Sequence, residues 1–429
     1  MTSIAELESR ATAFSSKGDT QSTMRVCQEI LSIDKNHLSS LRFLADLAIG
    51  SGDLSSATNY LQTMLDNSPG DLQVLTQLGQ ALYRQGKLEQ AVAVYIDYWR
   101  IKPDSGMIYL TLGCLFAELG DLDKAAQVFS LGEAVDHNLL SLWKTPETNA
   151  GVAKMSKTAW DTLCNHHTEL HIAAVESQDN SDQLIRIRDA VWPLADARAI
   201  DYEHPKHCPQ VFSIKYDRCP TFFDTSAFPW CEKLELDYEL IREEIVAGLN
   251  IETDGRPYLT NRHRLEGMQW EPLVNRMNWA SVHLYKSGTA NEKVIAKFPE
   301  TLKALAGLPL ATTNGNPSEV FISVLAPHTR IPEHFGVSSA ILTAHLPIEV
   351  PAGCGLKVHE ETRAPKPGKL MVFDDTWEHS AWNNSDQPRV VLIFELWHPA
   401  LTEAEQQAIT RSIRARRDWL QRRQVAPAK

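Results

Sequence analysis

Two histidines and an arginine carry the strongest chemical signal in this sequence. His334 stands in Ile331-Pro332-Glu333-His334-Phe335-Gly336. Forty-five residues later, Phe373-Asp374-Asp375-Thr376-Trp377-Glu378-His379 supplies a second imidazole, and Arg389 follows. Non-heme Fe(II) centres commonly hold the metal through two histidines and one carboxylate on a single face. Here the position two residues after the first histidine, where that carboxylate usually stands, is Gly336. The pattern points to an iron site with two protein ligands and further coordination positions left open. Arg389 opens the apolar run Val390-Val391-Leu392-Ile393-Phe394. That placement suits a buried guanidinium, which grips a carboxylate through two parallel donors.

Other groupings compete. His359-Glu360-Glu361 is itself an H-x-E that could join His379, although the span is short for ligands on separate strands and its charged neighbours read as a hairpin tip. His167 and His171 lie four apart, so on a helix they share a face and could either bind metal or pack. Asp375, four residues before His379, suits either a carboxylate that orients metal ligands and bound water or a turn aspartate.

These side chains need strands to hold them. The runs Val320 to Leu325, Ala340 to Ile348, Leu356 to Val358, Lys369 to Phe373 and Arg389 to Leu396 are short, β-branched and bounded by turn residues, as strands are. Before them, Lys233 to Leu249 reads as one amphipathic helix, and aromatics and prolines crowd the stretch from Tyr202 to Trp230. Residues 146–200 read as a helical linker or cap with an exposed loop at Ser177 to Asp182, and residues 401–429 as a basic helix opened by a Thr402-to-Glu405 capping box. The arginines of that last helix suit a solvated face or docking on the acidic remainder of the chain.

At the amino terminus, Gly18, Gly52, Gly86 and Gly120 recur at equal intervals, with Thr23, Ala57, Ala91 and Ala125 five positions later. The interval matches the tetratricopeptide helix-turn-helix unit of about 34 residues, which residues 1–145 resemble. The resemblance implies a stacked solenoid with a groove for a peptide or partner.

Composition narrows the partners. A net charge of −12 argues against nucleic acid, which is bound through basic patches. No apolar run is long enough for a membrane helix. The start Met1-Thr2-Ser3-Ile4-Ala5-Glu6 lacks signal-peptide character, and seven scattered cysteines form no C-x-x-C pair, so a cytoplasmic protein with reduced thiols is expected.

From about Trp279 to Pro399 the sequence resembles the aspartyl/asparaginyl β-hydroxylase family of 2-oxoglutarate oxygenases. The motifs that carry the resemblance are Lys297-Phe298-Pro299-Glu300-Thr301, Ser323-Val324-Leu325-Ala326-Pro327, His334-Phe335-Gly336, His345-Leu346, Phe373-Asp374-Asp375 with His379, and Trp397-His398-Pro399, in that order. It implies a double-stranded β-helix, or jelly roll, over residues 201–400. It also implies Fe(II) on His334 and His379, 2-oxoglutarate as cosubstrate on Ser323, His345 and Arg389, O2 as oxidant, and Trp279 at the substrate entrance with Ile341 and Thr343. Better-known members carry arginines where this chain has Ile341 and Thr343, one for the cosubstrate and one for an acidic substrate side chain. A neutral Ile341 cannot pair with a carboxylate, so an Asp substrate read in the usual way is not expected.

The chain thus reads as a multidomain α + β protein, an all-α solenoid followed by an oxygenase β-helix. The implied activity is hydroxylation of an amino-acid side chain in a peptide, protein or peptide-like substrate, with release of succinate and CO2. The competing reading is a binding module, in which a degenerate β-helix merely packs beside partner-binding repeats.

Overall fold

The computed structural model describes residues 3–177, 183–190, 202–209, 212–260, 268–313 and 315–426. The chain divides into two compact units, residues 1–166 with 419–429, and residues 167–418.

In the first unit, α1 (Ile4–Ser16), α2 (Thr20–Ile33), α3 (Leu38–Ser51), α4 (Leu54–Asn67), α5 (Leu72–Arg84), α6 (Leu88–Ile101), α7 (Gly106–Glu118) and α8 (Leu122–Val135) form successive helical hairpins. Each hairpin turns at one of the periodic glycines, Gly18, Gly52, Gly86 and Gly120, all of which have positive φ. That backbone conformation favours a residue without Cβ. Thr23, Ala57, Ala91 and Ala125 are buried where the paired helices meet. At Gly79 and Gly113 a Cβ would overlap the rings of Tyr95 and Phe129, so close helix packing excludes any side chain there. A groove of 490 Å³, lined by Thr12, Ser15, His37, Ser39 and Phe43 among others, runs beside the first three helices.

The second unit is built on antiparallel strands: β1 (Phe222–Phe223), β2 (Arg256–Pro257), β3 (Trp279–Lys286), β4 (Thr289–Ala290), β5 (Thr312–Thr313), β6 (Asn316–Pro317), β7 (Glu319–Leu325), β8 (Thr329–His334), β9 (Ile341–Glu349), β10 (Cys354–Val358), β11 (Glu361–Arg363), β12 (Met371–Phe373), β13 (His379–Asn383) and β14 (Arg389–Trp397). The larger sheet has the order β1-β12-β9-β14-β7-β3-β2, with β4 on β3, and the smaller has β11-β10-β13-β8. From β7 onward the chain passes back and forth between the two sheets, which is the path of a double-stranded β-helix.

Alternation along the strands separates two faces. Val320, Ile322, Leu342, Ala344, Leu346, Val390, Leu392 and Phe394 form one core with Cys231, Leu234, Ile241, Ile245 and Leu305. A fully buried side chain of this kind is worth roughly 1.5–3 kcal/mol. Helical packing therefore anchors the outer face of the larger sheet, and its inner face is left to carry polar groups.

Several expectations need correction. The helix expected over Lys233 to Leu249 is two helices, Pro229–Leu236 and Tyr238–Gly248, which break at Asp237 so that both apolar stripes reach the sheet. The segments 146–200 and 401–429 do not stand apart but divide between the two units. The helix Glu403–Arg422 brings Ala408 and Ile409 into a core with Val175, Ile187 and Trp397, so burial rather than solvation fixes it. Its Arg411 donates to the carbonyls of Ala174 and Val175 at the end of the helix Ala150–Glu176, a favourable place for a cation. Residues 178–182 of the expected loop lie outside the described residues.

Candidate active site

His334 ends β8 and His379 begins β13, and the two are cross-strand partners in the smaller sheet. Their ring centroids are 4.0 Å apart. His334 Nδ1 pairs with the Pro332 carbonyl at 2.8 Å, and His379 Nδ1 with the Trp377 carbonyl at 2.9 Å. A carbonyl can only accept, so each Nδ1 carries the proton and each Nε2 keeps its lone pair. Burial lowers the pKa of both imidazoles, strongly for His379, where the His334 ring adds to the effect. Both are therefore neutral donors, as a metal requires.

Asp375 occupies the space beside Gly336. A Cβ on Gly336 would overlap the Asp375 carboxylate, and the Gly336 amide donates to the Asp375 carbonyl at 2.6 Å. Asp375 Oδ2 accepts from the Thr343 hydroxyl at 2.9 Å, while Oδ1 is enclosed without a hydrogen-bond partner. Burial, helped by Asp374, pushes the Asp375 carboxyl up to about 7. Among the described residues no three His, Cys, Asp or Glu side chains are placed to share a metal ion. Asp375 thus stands next to the imidazole pair without completing a facial triad.

The inner face of the larger sheet continues the site. Arg389 is 4% exposed, and no carboxylate among the described residues pairs with it. Its Nε is buried without a partner, and burial lowers its pKa to about 10. A guanidinium left this way costs stability unless an anion meets it. On the neighbouring strand β7, Ser323 receives a hydrogen bond from Trp279 Nε1 at 3.1 Å. His345 on β9 is buried, with Nδ1 unpaired and its ring edge-on to Phe373 at 4.9 Å. Arg389, Ser323 and His345 thus present unmet polar capacity to one interior.

Trp279, expected at the entrance, lies deeper. It is 7% exposed, orients Ser323 and packs 6.4 Å from the His334 ring. Ile341 packs on the apolar cluster around Ala340 and Trp397, whereas Thr343 faces Asp375. The competing histidine groups are used elsewhere. Both nitrogens of His171 are engaged, by the Ser412 hydroxyl at 2.7 Å and the Ile187 carbonyl at 2.8 Å. Glu361 is held by Arg363 and Thr221 on the hairpin.

Two site residues have no counterpart in the sequence reading. Glu395 sits in β14 opposite Thr343, and a lone carboxylate at the same parity as Arg389 in an otherwise apolar strand was its available signal. Tyr258 stacks on Trp279 at 4.1 Å and on Phe321 at 5.4 Å, and no local pattern marks it.

The fold and these residues define a β-helix protein with a two-histidine pocket. Residues 235–399 match the family model described as aspartyl/asparaginyl beta-hydroxylase, and residues 48–108 match a tetratricopeptide repeat. The chain therefore carries a domain of the aspartyl/asparaginyl β-hydroxylase family together with tetratricopeptide repeats. The human aspartyl/asparaginyl beta-hydroxylase is 28% identical over 182 residues, which are 42% of this chain and 22% of that protein. Human aspartate beta-hydroxylase domain-containing protein 2 is 34% identical over 134 residues, 30% of this chain and 36% of that protein. The ornithine lipid ester-linked acyl 2-hydroxylase of Rhizobium tropici is 28% identical over 207 residues, 45% of this chain and 66% of that protein. This chain thus spans less than two thirds of each of these relatives. Among solved structures, YrrB, a tetratricopeptide protein, matches at 15% identity with a TM-score of 0.29, covering 39% of this chain and 91% of YrrB.

Proposed function

We propose that the second unit is an Fe(II)- and 2-oxoglutarate-dependent hydroxylase acting on an amino-acid side chain of a peptide, protein or peptide-like substrate. The observation that carries this reading is the His334–His379 pair, two neutral imidazoles whose Nδ1 protons are fixed on backbone carbonyls. Ligand histidines are commonly oriented in this way, and the free Nε2 atoms fit a metal. Bound there, the iron would couple decarboxylation of 2-oxoglutarate by O2 to hydroxylation of a substrate C–H bond, with release of succinate and CO2.

The remaining residues position and exclude. Arg389 meets the distal carboxylate of the cosubstrate, which satisfies a guanidinium that is otherwise buried without an anion. Ser323, its hydroxyl fixed by Trp279 Nε1, donates to the same carboxylate. His345, held neutral by burial, lines the cosubstrate between Arg389 and the metal pair. Asp375 accepts from groups or water beside the metal. Trp279, Phe373 and Trp270 close apolar sides and exclude bulk water.

The relatives' names span aspartyl and asparaginyl residues and a lipid acyl chain, so substrate choice rests on residues at the pocket mouth. We place a peptide segment of the substrate in the groove of the first unit. All seven cysteines are free, which suits a reducing compartment such as the cytoplasm.

The reading is tested by incubating the protein with Fe(II), 2-oxoglutarate and O2 and measuring succinate. Turnover above that of His379→Ala is expected. Equal succinate from the two proteins would refute it.

A further inference from the structure

Carboxylates cross the inner face of the larger sheet. Glu395 on β14 lies opposite Thr343 on β9. The β14–β7 ladder ends at the Phe394–Val320 pair, which brings Glu395 beside Glu319, the first residue of β7. Beyond Thr343, whose hydroxyl donates to Asp375 at 2.9 Å, the row ends at that third carboxylate.

Among the described residues, only Glu319 has a cation near it, Lys286, its cross-strand partner on β3. Glu395 is partly buried, yet its carboxylate makes no hydrogen bond or ion pair among the described residues. Asp375 Oδ1 is enclosed and equally unpartnered. Burial, with Glu319 and Asp375 adding to it, raises the Glu395 pKa well above the usual carboxylate range. Glu319 is better served, accepting from the Ser287 amide at 2.9 Å with His283 Nε2 at 3.5 Å. Burial lowers the His283 pKa to about 4, so that ring is neutral and brings no countercharge. Arg389 faces the same interior from the other end of β14. At the rise of an extended strand, the six steps from Arg389 to Glu395 put the two roughly 20 Å apart.

An aromatic wall stands beside this row. Tyr258 stacks between Trp279 and Phe321 and lies within electrostatic reach of Glu319, Glu395 and Asp375. A buried carboxylate without a partner favours a cation, which supplies the charge-assisted hydrogen bond it lacks. An acidic ligand would instead bring a further carboxylate to a partly buried cluster whose own carboxyls burial already holds toward the protonated form.

We propose that the substrate of this pocket presents a cationic group, an ammonium or guanidinium, that docks on Glu395 beside Thr343 and Tyr258. The assignment rests on the hydroxylase reading only for what then happens to the substrate. It accounts for the threonine opposite Glu395, because an arginine there would occupy the carboxylate that the ligand needs.

The test is binding of small probes to the full chain with Fe(II) and 2-oxoglutarate under anaerobic conditions, followed by ligand-observed NMR. The probes are the Nα-acetyl methylamides of lysine, arginine, norleucine and aspartate. The lysine and arginine probes should bind at least about tenfold more tightly than norleucine, with aspartate weakest. Glu395→Gln should remove that preference, since a charge-assisted pair is worth about ten- to a hundredfold. Thr343→Arg should remove it independently by placing a guanidinium on Glu395. Aspartate binding as well as the cations, no cationic binding by the wild type, or an undiminished preference in both variants would overturn the assignment. Binding is read without turnover. A chain that selects cations but never forms succinate would therefore contradict the hydroxylase reading and leave this one standing.

Discussion

The carboxylate of Asp375 stands where a side chain on Gly336 would project. The position two residues after the first histidine lacks an acid, and an acid from the loop before β13 fills the adjoining space. The glycine is therefore a steric requirement of Asp375.

Gly336→Asp is accordingly expected to lower stability and Fe(II) affinity, because two carboxylates would compete for one space. Adding Asp375→Gly should recover part of the loss. A double-mutant cycle on melting temperature and Fe(II) affinity measures the coupling. Additive effects would show that the two positions do not compete.

Arg389 predicts opposite effects on stability and binding. Because its buried guanidinium lacks an anion, Arg389→Met should raise the melting temperature of the free protein. The same change should weaken 2-oxoglutarate by about 1.5–3 kcal/mol, about ten- to a hundredfold, and leave Fe(II) affinity nearly unchanged. Calorimetry showing unaltered 2-oxoglutarate binding would remove Arg389 from the site.

The raised carboxyl of Asp375 sets a pH dependence. Its folded pKa of about 7 lies above the ordinary 3.8, so over that interval the folded chain holds a proton that the unfolded chain has lost. This contribution is fully present below pH 3.8 and is lost as pH rises through 7. Stability of the metal-free protein should therefore decline less steeply between pH 4 and 7 in Asp375→Asn than in the wild type. Urea denaturation across that range gives the slopes, and identical slopes would contradict the assignment.

The groove of the first unit yields a separable effect. Thr12 and Ser39 line it and are exposed, so Thr12→Trp and Ser39→Trp should fill it without disturbing the core. Hydroxylation of a large substrate should fall, while the slow turnover of 2-oxoglutarate without substrate stays constant. Mass spectrometry of the product against succinate release separates the two. Equal hydroxylation by these variants would exclude the groove from substrate binding.

Much of the fold is legible in the sequence where one physical demand repeats. A left-handed turn at regular intervals marks the hairpins, and apolar β-branched runs mark β7, β9 and β14. Strands β8 and β13 escape notice because they carry polar residues, Glu333, His334, His379 and Ser380 among them, in short stretches without apolar alternation. The histidines are legible from motif and spacing. The overlap between Asp375 and Gly336, and the placing of Glu395 opposite Thr343, depend on a loop path and a strand register that local sequence does not encode.

Anaerobic titration of Fe(II) into the wild type, His334→Ala, His379→Ala and Glu361→Ala, with folding followed by circular dichroism, bears on the two-histidine centre without needing a substrate. The wild type and Glu361→Ala should each bind one Fe(II), more tightly with 2-oxoglutarate, while both histidine variants stay folded and bind none. Retention of iron by His334→Ala together with its loss in Glu361→Ala would place the metal on the His359–Glu361 segment and contradict the account.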